Sequence, residues 1–321
     1  PGEEIVADKI ADKCLLHILS PFYCFGGGYN FTSFQKFTEI GSILSNLKNS
    51  HRLSGLAHPF LDKTHLVSDE NWHQFDYLGV LHQLNIPNFT DILEKYLEEN
   101  NYRLKNNLPM FAVMADNDYH KTPIESKLLE NLFSRYSYVW LEENEEVNEL
   151  NLLNAIKQGK TYATIGNLTL EEINYIPGII NQANSENLHF KIKSPKPKLL
   201  GLSLNYNVVV YCNGNKIYKS EVPNSIQAKY DNSVPFDIQI PDNEEKQYFV
   251  IYAYYPDFVL NKTKIQMAEL LTSPIIINPA PLENKKYYND FIPDIDQKKV
   301  SLDIGVKSVS LKKFNGKTYS D

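Results

Sequence analysis

Apolar positions in the first half of the chain switch repeatedly between two spacings. In 34–48 (FQKFTEIGSILSNLK) they recur every three or four residues, the period of a helix with one buried face. Residues 14–20 (CLLHILS) and 53–58 (LSGLAH) are instead short apolar runs of strand length. The alternation continues through a strand over 75–82, a helix over 89–100 (FTDILEKYLEEN) capped by Thr90, and a strand over 109–115 (PMFAVMA). A helix over 123–134, a strand over 136–141 and a helix over 146–158 follow. Strand-then-helix order of this kind predicts an α/β fold with a mostly parallel sheet or barrel.

Beyond Pro177 and Gly178 the segments become short, aromatic and β-branched: 187–193, 206–212, 215–219, 236–240, 247–255 and 273–278. Asn213-Gly214 between two of them is a strong hairpin signal. This half predicts an antiparallel β-sandwich of roughly 110 residues, carrying no catalytic groups. The polar stretch 284–321 holds one further strand candidate, KKVSLDIGV. The expected organisation is therefore a barrel-like unit over 1–170, a sandwich over 171–283 and a tail over 284–321.

Composition narrows the function. The chain has 321 residues, 42% of them apolar, and no run approaches the ~18 apolar residues of a membrane-spanning helix. A net charge of −7 without a basic block argues against broad nucleic-acid binding. Cys14, Cys24 and Cys212 are odd in number and show no C-x-x-C spacing, which argues against a disulfide framework and a zinc knuckle. FGGGYN (25–30) lacks the strand-to-helix context of a phosphate loop and reads as a flexible loop, and there is no G-x-S-x-G elbow.

One stretch asks for chemistry. FAVMADNDYHK (111–121) is an apolar run that closes on Asp116, Asp118 and His120. It is either a loop-former, since Asp and Asn start turns, or a metal site at the mouth of a strand. A calcium loop is excluded, because its required glycine and glutamate are replaced by Lys121 and Lys127. His17 and His58 also lie in or at the end of strand-like runs, and Glu4 stands ahead of them in PGEEI. In a parallel barrel such strand ends converge, and imidazoles with carboxylates suit zinc, manganese or iron. His51, His65, His73 and His189 sit in polar or sandwich surroundings and read as ordinary histidines, with His82 intermediate.

The order of these elements resembles the polymerase and histidinol phosphatase family of metal-dependent phosphoesterases, the PHP domain. PGEEI matches its P-G-x-E element, LLHILS its H-x-L-G element, GLAHPF its A-H-P element and DNDYH its S-D-x-H element. NLLNAIKQGKTYATIGN (151–167) looks like the segment that closes the barrel in a branch with carbamate- and ester-hydrolase-like members, where a β-sandwich ending in a stretch like LTSPIIIN (271–278) follows. The resemblance implies a distorted (β/α)7-type barrel, N-terminally incomplete, and then the sandwich. It also implies two or three divalent ions (Zn, Mn or Fe). Glu4 would bridge, His17 and His58 would bind one ion with it, Asp118 a neighbour, and His120 a third or shared position. Glu4, Asp118 and His120 would be the catalytic set.

Three departures stand out. The family's H-x-H element is absent here, so that either it precedes Pro1 or part of the cluster is lost; Asn117 replaces a serine; and Gly79 stands where many relatives carry an acid. The activity implied is hydrolysis of a small phosphoester. Lys63, Lys121 and Arg103 are candidate phosphate contacts, though each reads first as a solvated surface charge. The alternative is a degenerate barrel serving as a scaffold, with the aromatics of 247–255 (Tyr248, Phe249, Tyr252, Tyr254 and Tyr255) docking a glycan or a protein.

Overall fold

The computed structural model describes residues 2–10, 14–21, 40–49, 52–57, 72–80, 89–115, 135–165, 168–183, 185–194, 205–242, 245–256, 258–260, 263–265, 269–278, 298–302 and 311–314. The expected helix over 123–134 lies outside them. The helix-period segment near the start gives α1 (Ile40–Asn49), which buries Leu44 and Leu47. α2 (Phe89–Lys105) buries Ile92, Leu93, Tyr96, Leu97 and Asn100 at three- and four-residue spacing and exposes Glu94 and Glu98. It begins at Phe89, so Thr90 lies inside its first turn and does not cap it.

Sheet A contains β1 (Gly2–Ile10), β2 (Cys14–Pro21), β3 (Gly55–Ala57), β4 (Tyr77–Val80) and β5 (Ala112–Ala115), in that spatial order. Only β3, β4 and β5 are parallel; β1 with β2 and β2 with β3 are antiparallel. Every residue of β4 and β5 is buried, as expected of parallel strands covered on both faces. The fold is mixed α/β, and the described strands lie in open sheets with no closed barrel among them.

The remaining strands are β6 (Arg135–Leu141), β7 (Thr161–Ile165), β8 (Thr169–Ile173), β9 (Ile180–Gln182), β10 (Asn187–Lys193), β11 (Tyr206–Cys212) and β12 (Asn215–Val222). After them come β13 (Ser233–Gln239), β14 (Gln247–Tyr254), the small hairpin β15 (Phe258–Leu260) and β16 (Thr263–Ile265), β17 (Glu269–Thr272), β18 (Ile275–Asn278), β19 (Lys298–Leu302) and β20 (Leu311–Phe314). Sheet B runs β12-β11-β14-β17-β7-β6-β19-β20, with β18 and β9 attached beside β14. Sheet C runs β13-β10-β8 and is antiparallel throughout.

Sheets B and C enclose one core. It holds Phe249, Ile251, Val208 and Val210 from sheet B and Leu188, Phe190, Val234 and Phe236 from sheet C. Residues 248, 250 and 252 of β14 enter a different core, with α2 and with Leu56, Leu78 and Val113 of sheet A. Sheet B is thus the common wall of both cores. The expected boundary at 170/171 falls within β8, and sheet B takes strands from both sides of it: β17 pairs with β7 through Glu269↔Ile165 and Leu271↔Ala163.

Sheet A meets sheet B edge-on along β5, and hydroxyls stand in for the missing backbone partner. Ser273 Oγ accepts from Val113 N at 2.9 Å, and Thr161 Oγ1 donates to the Val113 carbonyl at 2.7 Å. Ser137 Oγ accepts from Ala115 N at 2.8 Å. These three contacts satisfy the outer edge of β5, whose polar groups would otherwise be buried and unmatched. This is the physical reason why strand-helix alternation, which predicts β6 beside β5, does not produce that pairing here. α3 (Glu149–Lys157) packs Leu152, Leu153 and Ile156 into the corner below, against Tyr77, Ala112, Met114, Val139 and Leu141.

Turns follow their residues. Asn148 caps α3 by accepting from Asn151 N at 2.9 Å. The helix ends with Gly159 N donating to the Ile156 carbonyl and Lys160 N to the Ala155 carbonyl, a Schellman motif whose left-handed residue is Gly159 at φ +76°. Asn213 (φ 48°) and Gly214 (φ 78°) form the two-residue hairpin turn between β11 and β12.

Candidate active site

Sheet A brings two of the five expected ligand positions together. In the β1–β2 ladder Glu4 faces Leu19 and His17 faces Val6. Directly opposed residues share a face and the side-chain period of a strand is two, so positions 4 and 17 share one face as diagonal neighbours. Diagonal positions of this kind lie ~7–8 Å apart. The ladder continues as Leu19↔Gly55 and Ile18↔Leu56, which sets His17 level with Ala57. Ala57 in turn lies beside Gly79, and Gly79 beside Met114.

That level is close to where the parallel strands end. β3 ends at Ala57, β4 at Val80 and β5 at Ala115, all at the same edge of the sheet. In sequence, His58 follows β3 directly, His82 comes two residues after β4, and Asp116, Asp118 and His120 come one, three and five residues after β5. His58, Asp118 and His120 lie outside the described residues, as do Asp116, His82, Lys63 and Lys121. Among the described residues no group of three or more His, Cys, Asp or Glu side chains is arranged to hold a metal ion.

The row of Glu4 continues through Leu19, Gly55, Tyr77 and Ala112. Gly55 and Ala112 flank Tyr77, and the Tyr77 ring lies over Gly55, where a Cβ would come within 2.1 Å of its Cζ. Gly79, the position where an acid was expected from the resemblance, continues this line of small residues.

α2 and sheet B bury charge that the sequence pattern does not reveal. Five charged side chains are buried among the described residues: Glu99, Arg103, Arg135, Lys160 and Glu269. Arg103, expected as a surface charge, is buried: it pairs with Glu99 and donates to the carbonyls of Trp72, Phe75 and Pro109. Its guanidinium also sits 4.6 Å from the centre of the Phe111 ring. Glu99 accepts from His73 Nδ1 at 2.7 Å, and the His73 ring stacks on Tyr102 at 3.8 Å. This cluster fastens α2 to the turn before β4, at the opposite edge of sheet A from the strand ends. Lys160 meets Glu142 at 3.0 Å.

Arg135 and Glu269 occupy one row of sheet B, reading Arg135, Ile165, Glu269, Tyr254 across β6, β7, β17 and β14. Tyr252, one diagonal away, donates its hydroxyl to Glu269 Oε1 at 3.2 Å. The available signal was the two-residue period of RYSYVWL, which puts Arg135 and Ser137 on the face of Val139 and Leu141.

The aromatics of β14 are mostly core. Tyr248, Phe249, Tyr252 and Tyr255 are buried, and Tyr254 is half-buried. Tyr248 donates to the Leu97 carbonyl at 2.8 Å and so ties sheet B to α2. His189, on the outer face of sheet C, pairs with Asp237 at 3.3 Å and is exposed. No family model and no curated protein matches the chain.

Proposed function

We propose that this chain is a metal-dependent hydrolase of phosphoesters, built like the polymerase and histidinol phosphatase family. Sheet A would then be the described part of a distorted (β/α)7-type barrel, ahead of a sandwich made by sheets B and C. Glu4, His17, His58, Asp118 and His120 are its proposed ligands. The observation that supports this reading is the sharing of one sheet face by Glu4 and His17, with His17 level with the edge at which β3, β4 and β5 all end. Ligands gather at that edge in open parallel sheets.

The donor set fits a divalent ion of the zinc, manganese or iron kind, since it offers imidazole nitrogens and carboxylate oxygens and no thiolate. When bound, two or three such ions would supply Lewis acidity, lowering the pKa of a water and offsetting charge on a phosphoryl group. The chain's own part is to hold those donors at fixed positions. Positions 4 and 17 would do so from paired strands.

The test is a pair of neighbouring substitutions in the full-length protein. Asp118→Asn keeps the shape of the side chain and removes its charge, so turnover of p-nitrophenyl phosphate should fall by several orders of magnitude with the fold intact. Asp116→Asn should retain most activity. His17→Ala should lower bound metal measured by mass spectrometry. Equal and modest effects at 116 and 118, with metal content untouched by His17→Ala, would sink this reading.

A further inference from the structure

Sheet B ends on both sides in strands of the same character. At one end of its path lies β12 (NKIYKSEV), with Lys216, Lys219 and Glu221. At the other lies β20 (LKKF), with Lys312 and Lys313. A further open strand, β9, is only three residues long. Charge, lysine above all, and brevity are the means by which sheets keep their open edges from pairing with other chains. β6 has neither. Its seven residues, RYSYVWL, include no proline or glycine, and its one charge, Arg135, is buried. Half-buried Tyr136 and Tyr138 alternate with buried Ser137 and Val139. A strand of this composition pairs with any extended chain that reaches its edge.

What covers β6 is the polar segment expected to be a tail. β19 lies antiparallel on β6, from Lys298↔Leu141 to Leu302↔Ser137, and β20 folds back on β19 through Val300↔Lys313. Among the described strands β19 pairs only with β6 and β20, and β20 only with β19. The cover is therefore held by one ladder along a strand of five residues. Residues 279–297, with Pro279, Pro281 and Pro293, connect it to β18.

We propose that the outer edge of β6 is a strand-acceptor site which the chain fills with its own β19–β20, and that the partner it takes when this guard lifts is β6 of a second copy. The inference is independent of the hydrolase reading. A second copy fits better than a foreign peptide because β6 offers no exposed charge to select one, and its tyrosines match themselves. Two β6 strands meet antiparallel about a two-fold axis through Tyr138, the middle residue of the strand, so that an aromatic pair forms across the contact. That contact uses up both edges, and association stops at two chains. In the intact chain the tether gives β19 an effective concentration on the order of millimolar, so the guard wins and the protein stays single. The tail thus sets the assembly state.

The experiment weighs the full chain by light scattering across a range of concentrations. Val300→Pro with Ser301→Pro removes a donor on each side of β19, since successive residues of a strand point their N–H groups to opposite neighbours. Lys312→Pro with Lys313→Pro applies the same chemistry to β20 and leaves β19 on β6. Wild type and the β20 variant should keep the mass of one chain throughout. The β19 variant should pass from one chain's mass to two as concentration rises. Adding Tyr138→Lys to it places like charges opposite each other and should return it to one chain. An excess of synthetic peptide 296–316 should do the same by refilling the edge. In wild type, hydrogen exchange should show β6 and β19 amides opening together, ahead of those of β7 and β14.

A β19 variant that keeps native circular dichroism and the mass of one chain at every concentration would overturn the proposal. So would association that neither Tyr138→Lys nor the peptide reverses, or association shared equally by the β20 variant. If the β19 variant fails to fold, hydrogen exchange on wild type decides: β6 amides that open only with β7 and β14 would show the guard to be a fixed part of sheet B.

Discussion

A Cβ on Gly178 would lie 2.2 Å from the carbonyl oxygen of Gln158, the residue that ends α3. Gly178 also takes φ +78°, and its N–H donates to the Pro274 carbonyl at 2.8 Å. It is wedged between the C-terminus of one helix and the turn that carries Ser273. Gly159 has nearly the same φ, +76°, but its missing Cβ would meet nothing nearer than 3.5 Å.

The two glycines therefore separate strain from collision. Gly159→Ala should cost about 1–2 kcal/mol, the penalty of the left-handed region. Gly178→Ala adds a clash with backbone that cannot rotate away, so its cost should exceed that of Gly159→Ala by at least about 1 kcal/mol. Urea unfolding of both variants gives the comparison, and equal losses would mean the 158–160 turn yields freely.

The Thr161 and Ser273 hydroxyls lie 2.7 Å apart, and each also serves Val113. Removing one leaves a buried group of β5 unmatched, which costs about 1–3 kcal/mol. Thr161→Val and Ser273→Ala should each fall in that range. Because they act as one unit, the double variant should lose clearly less than the sum. A double-mutant cycle on denaturation free energies measures the coupling; additive losses would show that the hydroxyls act separately.

The Tyr206 hydroxyl is buried and makes no hydrogen bond among the described residues. Burial pushes its pKa well above the usual tyrosine value, with Tyr255 and Tyr218 adding to the effect. Tyr206→Phe removes an unmatched polar atom and keeps the ring, which packs 5.6 Å from Tyr255. Stability should be unchanged or higher by about 1 kcal/mol, read as a melting temperature that does not fall.

Much of this fold was legible in the two-residue and 3.6-residue periods. β2, β10 and β11 start where the apolar pattern starts, and the Asn213-Gly214 turn closes its hairpin as the dipeptide predicts. β1 was not legible, because GEEIVADKI mixes charge with apolar residues and is a strand through its pairing with β2. The sharing of sheet B was hidden for a related reason: nothing local in TYATI or ELLT reveals that they pair across about 100 residues of chain. For the candidate site, Glu4 and His17 were found as residues; elsewhere, the buried Arg135 and Glu269 were passed over. A lone charge in a strand reads as surface until its register shows which face it shares.

Cys212 is buried in the core between sheets B and C, and desolvation pushes its thiol up to about 11. An unfolded thiol titrates near about 8.5, so the folded state holds its proton more tightly. The resulting stability is complete below that unfolded value and is lost as pH rises through the folded one. Tyr96, Tyr211, Tyr248 and Tyr255 are raised as well, chiefly by burial, and add to the same alkaline loss at higher pH. In a Cys14→Ser, Cys24→Ser background, melting temperature should fall between pH 8.5 and 11. The fall should be shallower when Cys212 is also replaced by alanine, and identical slopes would contradict the assignment.

Sheet B as a common wall has a consequence for biosynthesis. β7 leaves the ribosome long before its neighbour β17, and Thr161 precedes its partner Ser273 by 112 residues. Until the later segment emerges, the outer edge of β5 lacks one of its hydroxyl caps and β7 has an unpaired side. An early intermediate of this protein therefore displays an adhesive strand edge at the place where the two halves are later joined. Translation speed through 166–273, and the chaperones that meet the chain during that interval, should decide how much of it reaches the native state.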